Sequence, residues 1–436
     1  MQATIAAIAT GPAAGGIGII RISGPRALDA ARRVCRVPER VAPREALRVE
    51  FIVRGALVDE GLLLHFPGPR SYTGEDVVEL HAHGSPRLLS LLLAEVLGHE
   101  GTRLAEPGEF TRRAFLSGKL DLAGAEAVAD LIAADSEAQV RAAAAQLHGG
   151  LSARVEEVKS ATLEVLAEVE GVLEFPDEAE GAEVGIARGV AGVVEGLKAL
   201  VADGARGALV RRGARVVVYG PVNAGKSTLF NRLAGADRAL VDEEPGTTRD
   251  TLEARLELEG LSVTLVDTAG LREGAGRLEA LGIARARAAL AGADVAVLVV
   301  PPGAAAEETE RWRAEVADEE RLEVASKVDL VGHRGDARLG VSGLSGEGVE
   351  ALRAALAARL GAGVAGAAVV TSERHLACFR EALEAAERAW SAVQVATLEV
   401  VGGELRLVLE AVMKVTGEDA TTAVLDAVFA RFCIGK

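Results

Sequence analysis

Two hydrophobic periods alternate along this 436-residue chain, and the points where they change divide it. Up to about residue 118, short β-rich runs sit between turn clusters. "GIGIIRIS" (16–23), "LRVEFIV" (47–53) and "GLLLHF" (61–66) predict strands. "GPRALDAARRV" (24–34) and "SPRLLSLLLAEVLG" (85–98) have helical spacing with a proline at an early helical position. This part reads as an α+β unit. From about 119 to 175 the chain becomes rich in Ala, Leu and Glu, with apolar residues at i, i+3, i+4 and i+7, which predicts long amphipathic helices. "FPDEAEG" (175–181) breaks them, and helix resumes over about 187–208. Residues 214–362 alternate strand and helix. The predicted strands are "ARVVVYG" (214–220), "LEARLELEG" (252–260), "LSVTLVDT" (261–268), "DVAVLVV" (294–300) and "RLEVASK" (321–327). That order predicts a mostly parallel sheet with helices on both faces. After "GAGVAGAAVV" the chain turns helical again, from Ser372 to the end. The expectation is therefore an α/β plus α protein in four segments. Residues 1–118 form an α+β domain, and 119–210 and 366–436 are two parts of one helical bundle. An α/β unit over 211–365 is inserted between those parts.

Composition narrows the setting. Hydrophobic residues make up 49%, enough for several cores in a chain long enough for two to four domains. Lys and Arg number 48 against 64 Asp and Glu, a net charge of -16, which argues against broad electrostatic binding to nucleic acid or anionic lipid. The three cysteines, Cys35, Cys378 and Cys433, form no CxxC or other ligand spacing, which favours a reducing compartment without disulfides. "MQATIAAIATGPAAGG" lacks the basic start of a signal peptide, and no run of 18 apolar residues predicts a membrane span. The expectation is a cytoplasmic protein. Only two asparagines occur, Asn223 and Asn231, so an asparagine at a chemical position stands out.

One of them lies in "GPVNAGKS" (220–227), which matches the phosphate-loop pattern G-x-x-x-x-G-K-[ST] and sits between an apolar strand and the helix "STLFNRLAG". Gly220 and Gly225 let the backbone bend around phosphate. The amides from Asn223 and Ala224 through Thr228 and the helix N-terminus favour its charge. Lys226 is expected to neutralise the β and γ phosphates and Ser227 to ligate Mg²⁺. Downstream, "DTAG" (267–270) ends a strand: Asp267 would hold Mg²⁺ through water, and the Gly270 N–H would meet the γ-phosphate. In "GTTRD" (246–250), Thr248 is the candidate switch threonine for Mg²⁺ and γ-phosphate. "SKVD" (326–329) follows another strand. Asp329 can accept two hydrogen bonds from guanine, with Ser326 and Lys327 beside it, and Ser342, Gly343 and Leu344 would complete the base pocket. This order of elements predicts a GTPase rather than an ATPase. Ser326 stands where Asn is usual, and Gly343 where Ala is usual. Leu271 follows "DTAG" where a water-orienting glutamine is common, so the transition-state charge has to come from elsewhere. A side-chain carbonyl at Asn223 could ligate a monovalent cation beside the phosphates.

Taken together, "GGIGIIRISG" (15–24), "YTGEDVVELHAHGS" (72–85), "PGEFTRRAFLSGKLDLAGAEAVADLI" (107–132), "NAGKSTLFNRL" (223–233), "DTAGLRE" (267–273) and "FCIGK" (432–436) resemble the tRNA uridine-modification GTPase family (MnmE, also called TrmE) over essentially the whole chain. The resemblance implies an N-terminal folate-binding domain that dimerises and a helical domain split by an inserted G domain. It implies G domains that pair when K⁺ and GTP bind. Asn223 would ligate K⁺, with the loop at Asp242, Glu244 and Thr247 completing the site, and Glu279 would orient the attacking water. Folate contacts fall on Arg21, Glu79, Lys119 and Lys436, and Cys433 would sit near the one-carbon unit. The donor would be 5-formyl- or 5,10-methylene-tetrahydrofolate. The implied activity is a homodimeric, K⁺-stimulated GTPase. With an FAD-dependent partner (MnmG, also called GidA), it would add an aminomethyl-type group at C5 of the wobble uridine of tRNA.

Two other readings stay open on the residues alone. One is an RNA-binding ribosome-assembly GTPase without folate chemistry. The other is a membrane-tethered switch prenylated at Cys433, although Gly435 and Lys436 suit such a tail poorly and no polybasic run precedes it. His81 and His83 form an i, i+2 pair on a strand but lack a third ligand.

Overall fold

The computed structural model describes residues 3–175, 181–235, 253–268, 286–331, 338–361, 370–395 and 397–436. Contacts divide the chain into two units. One holds residues 1–129, 146–190 and 385–436, and the other 130–145 and 191–384.

In the first unit, β1 (Thr4–Ile8), β2 (Gly15–Ser23), β3 (Leu47–Val53), β4 (Ala56–Phe66), β5 (Val77–Gly84) and β6 (Thr102–Leu104) form one sheet in the order β3-β4-β5-β2-β1-β6. All neighbours are antiparallel except β1 and β6. The helices α1 (Ala27–Ala31) and α2 (Pro86–Leu97) pack on it, burying Ile20, Ile22, Phe51, Leu63, Leu80 and Leu92. Period-2 alternation puts Ala6 in that core and its neighbours Ile5 and Ala7 in another, with Phe110 of α3 (Glu109–Leu116). Both faces of β1 are thus covered.

The chain continues through α4 (Leu122–Ala133), α5 (Glu137–Leu147), α6 (Gly150–Glu174) and α7 (Ala182–Arg212). It closes with α12 (Glu373–Val395), α13 (Leu398–Thr416) and α14 (Thr422–Phe429), after the elements of the second unit. Buried Leu151, Val155, Val158, Thr162, Val165 and Val169 form one stripe on α6. Val165 and Val169 meet Val401 and Leu405 of α13, with Ile186 and Val190 from α7. Leu122 and Ala125 of α4 pack on Leu425, Val428 and Phe429 of α14 and on Phe432.

In the second unit, β7 (Ala214–Tyr219), β8 (Glu253–Leu258), β9 (Leu261–Asp267), β10 (Val295–Val300), β11 (Arg321–Ser326) and β12 (Leu339–Val341) are ordered β12-β11-β10-β7-β9-β8. Every pair is parallel except β8 with β9. β7 and β10 read as continuous apolar runs because both faces are covered. Val216, Val218, Val297 and Val299 face α8 (Lys226–Gly235) and α11 (Val349–Leu360). Val217, Tyr219, Ala296 and Leu298 face the other way, toward Leu290 and toward Trp312 of α9 (Ala306–Arg313). A short α10 (Val328–Val331) follows β11.

The predicted helix over 24–34 is cut to Ala27–Ala31. The Val34 carbonyl accepts from the Ile52 N–H at 2.7 Å, and Cys35 bridges to Phe51, so the chain leaves the helix to join the sheet edge. The strand predicted from Gly61 instead starts at Ala56, because Arg54 and Gly55 (φ 50° and 81°) make a two-residue hairpin turn. Gly61 sits mid-strand, where a Cβ would lie 2.1 Å from the His81 carbonyl oxygen. β1, β6 and β12 were not expected from the pattern, and β5 was expected only as the strand carrying His81 and His83.

Candidate functional site

The parallel strands β7, β9, β11 and β12 end at one edge of the second sheet. Val218 stands opposite Asp267, and Ser326 opposite Val341. The loops that leave this edge carry the residues the sequence singled out, as expected for a parallel α/β sheet. Gly220 has φ +138°, and a Cβ there would lie 2.6 Å from the Val299 carbonyl oxygen; Gly225 has φ +94°. Asn223 adopts φ +58°, a left-handed conformation that asparagine tolerates. It is exposed, as are Ser227 and Thr228 at the start of α8, while Ala224 and Lys226 are buried. Lys226 Nζ donates to the Pro221 carbonyl at 2.7 Å, which lays the ammonium across the loop. Asp267 is buried at the end of β9, and next to it Thr268 Oγ1 donates to the Val218 carbonyl at 2.9 Å. A buried acceptor-only side chain beside an exposed hydroxyl at a helix start suits Mg²⁺ with phosphate.

The base loops are tied to the phosphate loop. Ser326 is buried, and its Oγ lies 2.7 Å from the Ala224 carbonyl oxygen. The serine therefore forms a direct tether between the two loops. Lys327 has φ +56°, and its stem comes within 3.8 Å of where a Gly225 Cβ would stand. Asp329 is exposed on α10. Ser342 is fully buried, and its Oγ accepts from the Ser345 N–H at 3.1 Å. Gly343 approaches the start of α8 so closely that a Cβ would sit 2.8 Å from the Leu229 nitrogen, which accounts for glycine where alanine is usual. Arg232, which sequence reasoning missed, donates to the Gly343 carbonyl at 3.0 Å and to the Leu344 carbonyl. Thr247, Thr248, Asp242, Glu244, Gly270, Leu271 and Glu279 lie outside the described residues.

The second set of candidates lies in the first unit, where Arg21 and Glu79 are brought together. Arg21 and Glu79 are cross-strand partners on β2 and β5, with Arg21 Nε 2.9 Å from Glu79 Oε1. The Arg21 guanidinium lies over the rings of Tyr72 (5.6 Å) and Phe110 (5.8 Å). His81 Nε2 is 3.2 Å from the other Glu79 oxygen. His83 turns instead to Asp59 at 2.7 Å, so the two histidines have different partners. Among the described residues, no three His, Cys, Asp or Glu side chains gather as a metal cluster. Burial raises the Tyr72 hydroxyl above its ordinary range, opposed by its bond to Thr111 and by the Arg21 charge. Lys119 passes the Gly74 turn, its Cε 3.6 Å from where a Cβ would stand.

The chain's last residues dock here too. The Phe110 N–H donates to the Lys436 carbonyl at 3.2 Å, and the Gly108 N–H to the Cys433 carbonyl at 3.5 Å. Gly435 (φ +101°) presses on β1: a Cβ there would lie 2.2 Å from the Ile8 carbonyl oxygen. Cys433 is exposed beside these contacts, whereas Cys35 and Cys378 are buried, and burial pushes the Cys35 thiol up to about 12. Tyr72 and Phe110 were not singled out from sequence, although both lie in stretches that carried the resemblance. Only the fold shows that they share Arg21.

No helix among the described residues is long and apolar enough to cross a membrane. Residues 4–119 match the family described as GTP-binding protein TrmE N-terminus, and residues 122–433 match the MnmE helical domain. The chain is 57% identical over 436 residues to the tRNA modification GTPase MnmE of Myxococcus xanthus, covering 99% of each. It is 44% identical over 452 residues to that of Azoarcus sp., covering 99% of this chain and 98% of the relative. Among solved structures, the G domain of the T. maritima FeoB iron transporter is 24% identical, with a TM-score of 0.25. That match covers 34% of this chain and 98% of that one, and it adds nothing to the topology above. With full-length identity of this order on top of a phosphate loop, guanine loops and a parallel sheet, the chain belongs to the tRNA modification GTPase MnmE family and is a GTP hydrolase acting in tRNA modification.

Proposed function

We propose that this GTPase works as a homodimer with an FAD-dependent MnmG/GidA-like partner to modify C5 of the wobble uridine of tRNA, using a tetrahydrofolate one-carbon unit. The observation that carries the folate half is the docking of Cys433–Lys436 against α3 and β1, beside the aromatic pair that holds Arg21. Glu79 offers a carboxylate to the amino-pterin donors, and the cations of Arg21, Lys119 and Lys436 suit the carboxylates of a folate tail. Exposed Cys433 stands at the same place. When bound, the folate supplies the one-carbon unit, while these residues hold and orient it. Whether the donor is 5-formyl- or 5,10-methylene-tetrahydrofolate decides the electron balance shared with the flavin partner. We read residues 1–118 as the folate-binding and dimerising domain and 211–365 as a G domain inserted between helical segments 119–210 and 366–436.

In the G domain, Asn223, Ala224, Gly225, Lys226, Ser227 and Thr228 hold the phosphates. Ser227 and Thr248 hold Mg²⁺, with Asp267 acting through water. Ser326, Lys327, Asp329 and Ser342–Leu344 hold guanine. Asn223, Asp242, Glu244 and Thr247 hold K⁺, which supplies the transition-state charge that Leu271 cannot. Glu279 orients the water.

Titration of the full chain with 5-formyl-tetrahydrofolate tests the folate half. Binding is expected, weakened about tenfold by Glu79→Ala, near the worth of one charge-assisted hydrogen bond. A wild-type chain that binds no folate overturns it and favours the ribosome-assembly reading.

A further inference from the structure

We propose that Arg232, on the outer turn of the phosphate-loop helix, is a positioning residue for guanine recognition: it holds the 343–344 and 344–345 peptides so that the Leu344 amide faces the base. The inference rests on the reading of Ser342–Leu344 as part of the base pocket, and it goes beyond it by naming what orients that loop.

The geometry has three parts. First, the guanidinium reaches from α8 to two successive carbonyls, Gly343 (Nε, 3.0 Å) and Leu344 (Nη2), and its Cζ lies 3.9 Å from where a Gly346 Cβ would stand. Because a trans peptide points its N–H opposite its C=O, fixing the Gly343 carbonyl on the α8 side turns the Leu344 N–H away from it. Fixing the Leu344 carbonyl likewise commits the next N–H, that of Ser345, which donates to Ser342 Oγ at 3.1 Å. Second, neither the Gly343 N–H nor the Leu344 N–H meets an acceptor among the described residues, so the loop presents two unused donors. Third, among the described residues the Gly343 and Leu344 carbonyls take side-chain bonds from Arg232 alone, while the Gly343 backbone packs on the start of α8. The loop's remaining bonds are internal: the Ser342 N–H to the Glu347 carbonyl at 2.8 Å, and the Gly346 N–H to the Ser342 carbonyl at 2.9 Å. At Gly346 (φ +88°) the nearest atoms to an added Cβ are those of Arg232, so the backbone freedom of the loop's tip is limited from the Arg232 side.

An aimed, unused amide donor recognises an acceptor. Guanine presents a carbonyl oxygen, O6, where adenine presents an amino donor, so a pinned loop favours guanine and an unpinned one discriminates less. Asp329 reads the opposite feature, the ring N–H and 2-amino donors. The two contributions can therefore be separated with base analogues.

Calorimetric titration of the full-length protein with three diphosphates tests this: GDP, 2-aminopurine riboside diphosphate (which lacks O6 and the N1 hydrogen, the latter loss being common to wild type and variant) and IDP (which lacks the 2-amino group). Arg232→Ala is expected to weaken GDP about tenfold, since two charge-assisted hydrogen bonds to the loop are lost. The preference for GDP over the 2-aminopurine analogue should shrink by about the same factor, while the preference for GDP over IDP stays within about twofold. Arg232→Lys, with one donor reaching the loop, should fall between. If Arg232→Ala weakens all three nucleotides equally, Arg232 is merely structural and the proposal fails. An unchanged preference for GDP over the 2-aminopurine analogue also overturns it. Asp329→Asn is the separate check on the pocket itself: no shift toward xanthine nucleotide would undo the base-pocket reading whatever Arg232 does.

Discussion

Ser326 shows how one side chain can change a motif and keep its mechanics. The usual asparagine spans the gap between guanine loop and phosphate loop with an amide. Here a shorter hydroxyl reaches the Ala224 carbonyl at 2.7 Å. Ser326→Ala removes that tether from a buried position, a loss of about 1 kcal/mol for a neutral hydrogen bond. GDP affinity is expected to fall about fivefold, read by titration, with little change in melting temperature without nucleotide. A fall in stability with unchanged affinity would mean that Ser326 is only packed. Gly343 makes the complementary point. Its backbone sits where a methyl group would strike the start of α8, so the tight loop and the missing Cβ belong together.

The helix α3 illustrates what an element does when its polar residues face inward. Arg113 is buried, donating to Glu75 Oε2 at 2.8 Å, Glu109 Oε1 at 2.9 Å and the Ala3 carbonyl at 2.9 Å. Glu109 also takes two bonds from Arg103, at 2.7 and 2.6 Å, and one from the Glu106 N–H at 2.9 Å. This network ties α3, the 73–75 loop and the N-terminal strand into the floor under Tyr72 and Phe110. Removing Arg113 takes one bond from buried Glu109, which keeps Arg103, and one from half-buried Glu75, which keeps Ser23, so Arg113→Ala should cost about 2–3 kcal/mol in urea unfolding. Burial alone would raise the Glu109 carboxyl, but the bonds from Arg103, Glu106 and Arg113 outweigh it and hold the group below its usual 4.5. A depressed folded-state pKa contributes stability above the unfolded value and loses it as pH falls through the folded value. The gap in stability between wild type and Glu109→Gln should therefore be full near neutrality and close progressively below about pH 4.5. A gap that stayed constant down to pH 3 would exclude this linkage.

For the whole molecule, the GTP-hydrolysing residues and those proposed for folate fall in different units of the chain, and the proposed dimer makes a prediction for the first of them. If K⁺ at Asn223 supplies the missing charge and G domains pair to hold it, GTP turnover should be at least about tenfold faster in K⁺ than in Na⁺. Turnover should also rise more steeply than linearly with protein concentration. Glu279→Ala should slow turnover in K⁺ while leaving GTP affinity nearly unchanged. Equal rates in the two salts would remove the cation from the proposal. The net charge of -16 fits the proposal that a partner supplies most of the tRNA surface.

The sequence by itself determined what repeats or what chemistry demands at fixed spacing. The parallel sheet was legible because strands covered on both faces are continuous apolar runs, and the long helices because a buried stripe has to recur every three to four residues. The phosphate loop was legible because phosphate binding needs glycine, lysine and a hydroxyl in one short stretch. Tertiary structure alone decided what depends on partners distant in the chain. The bounds of β5, read only as a strand under His81 and His83, were hidden because Glu79, His81 and His83 interrupt its apolar pattern; Glu79 and His83 meet Arg21 and Asp59 from other strands. α1 stopped early because Val34 is drawn to β3. Arg232 carried no signal in the sequence, because its two carbonyl partners lie more than a hundred residues away. The tail "FCIGK", which resembles a lipid anchor by the position of its cysteine, is held on β1 and α3 because Gly435 can lie against the Ile8 carbonyl. No local pattern encodes that contact.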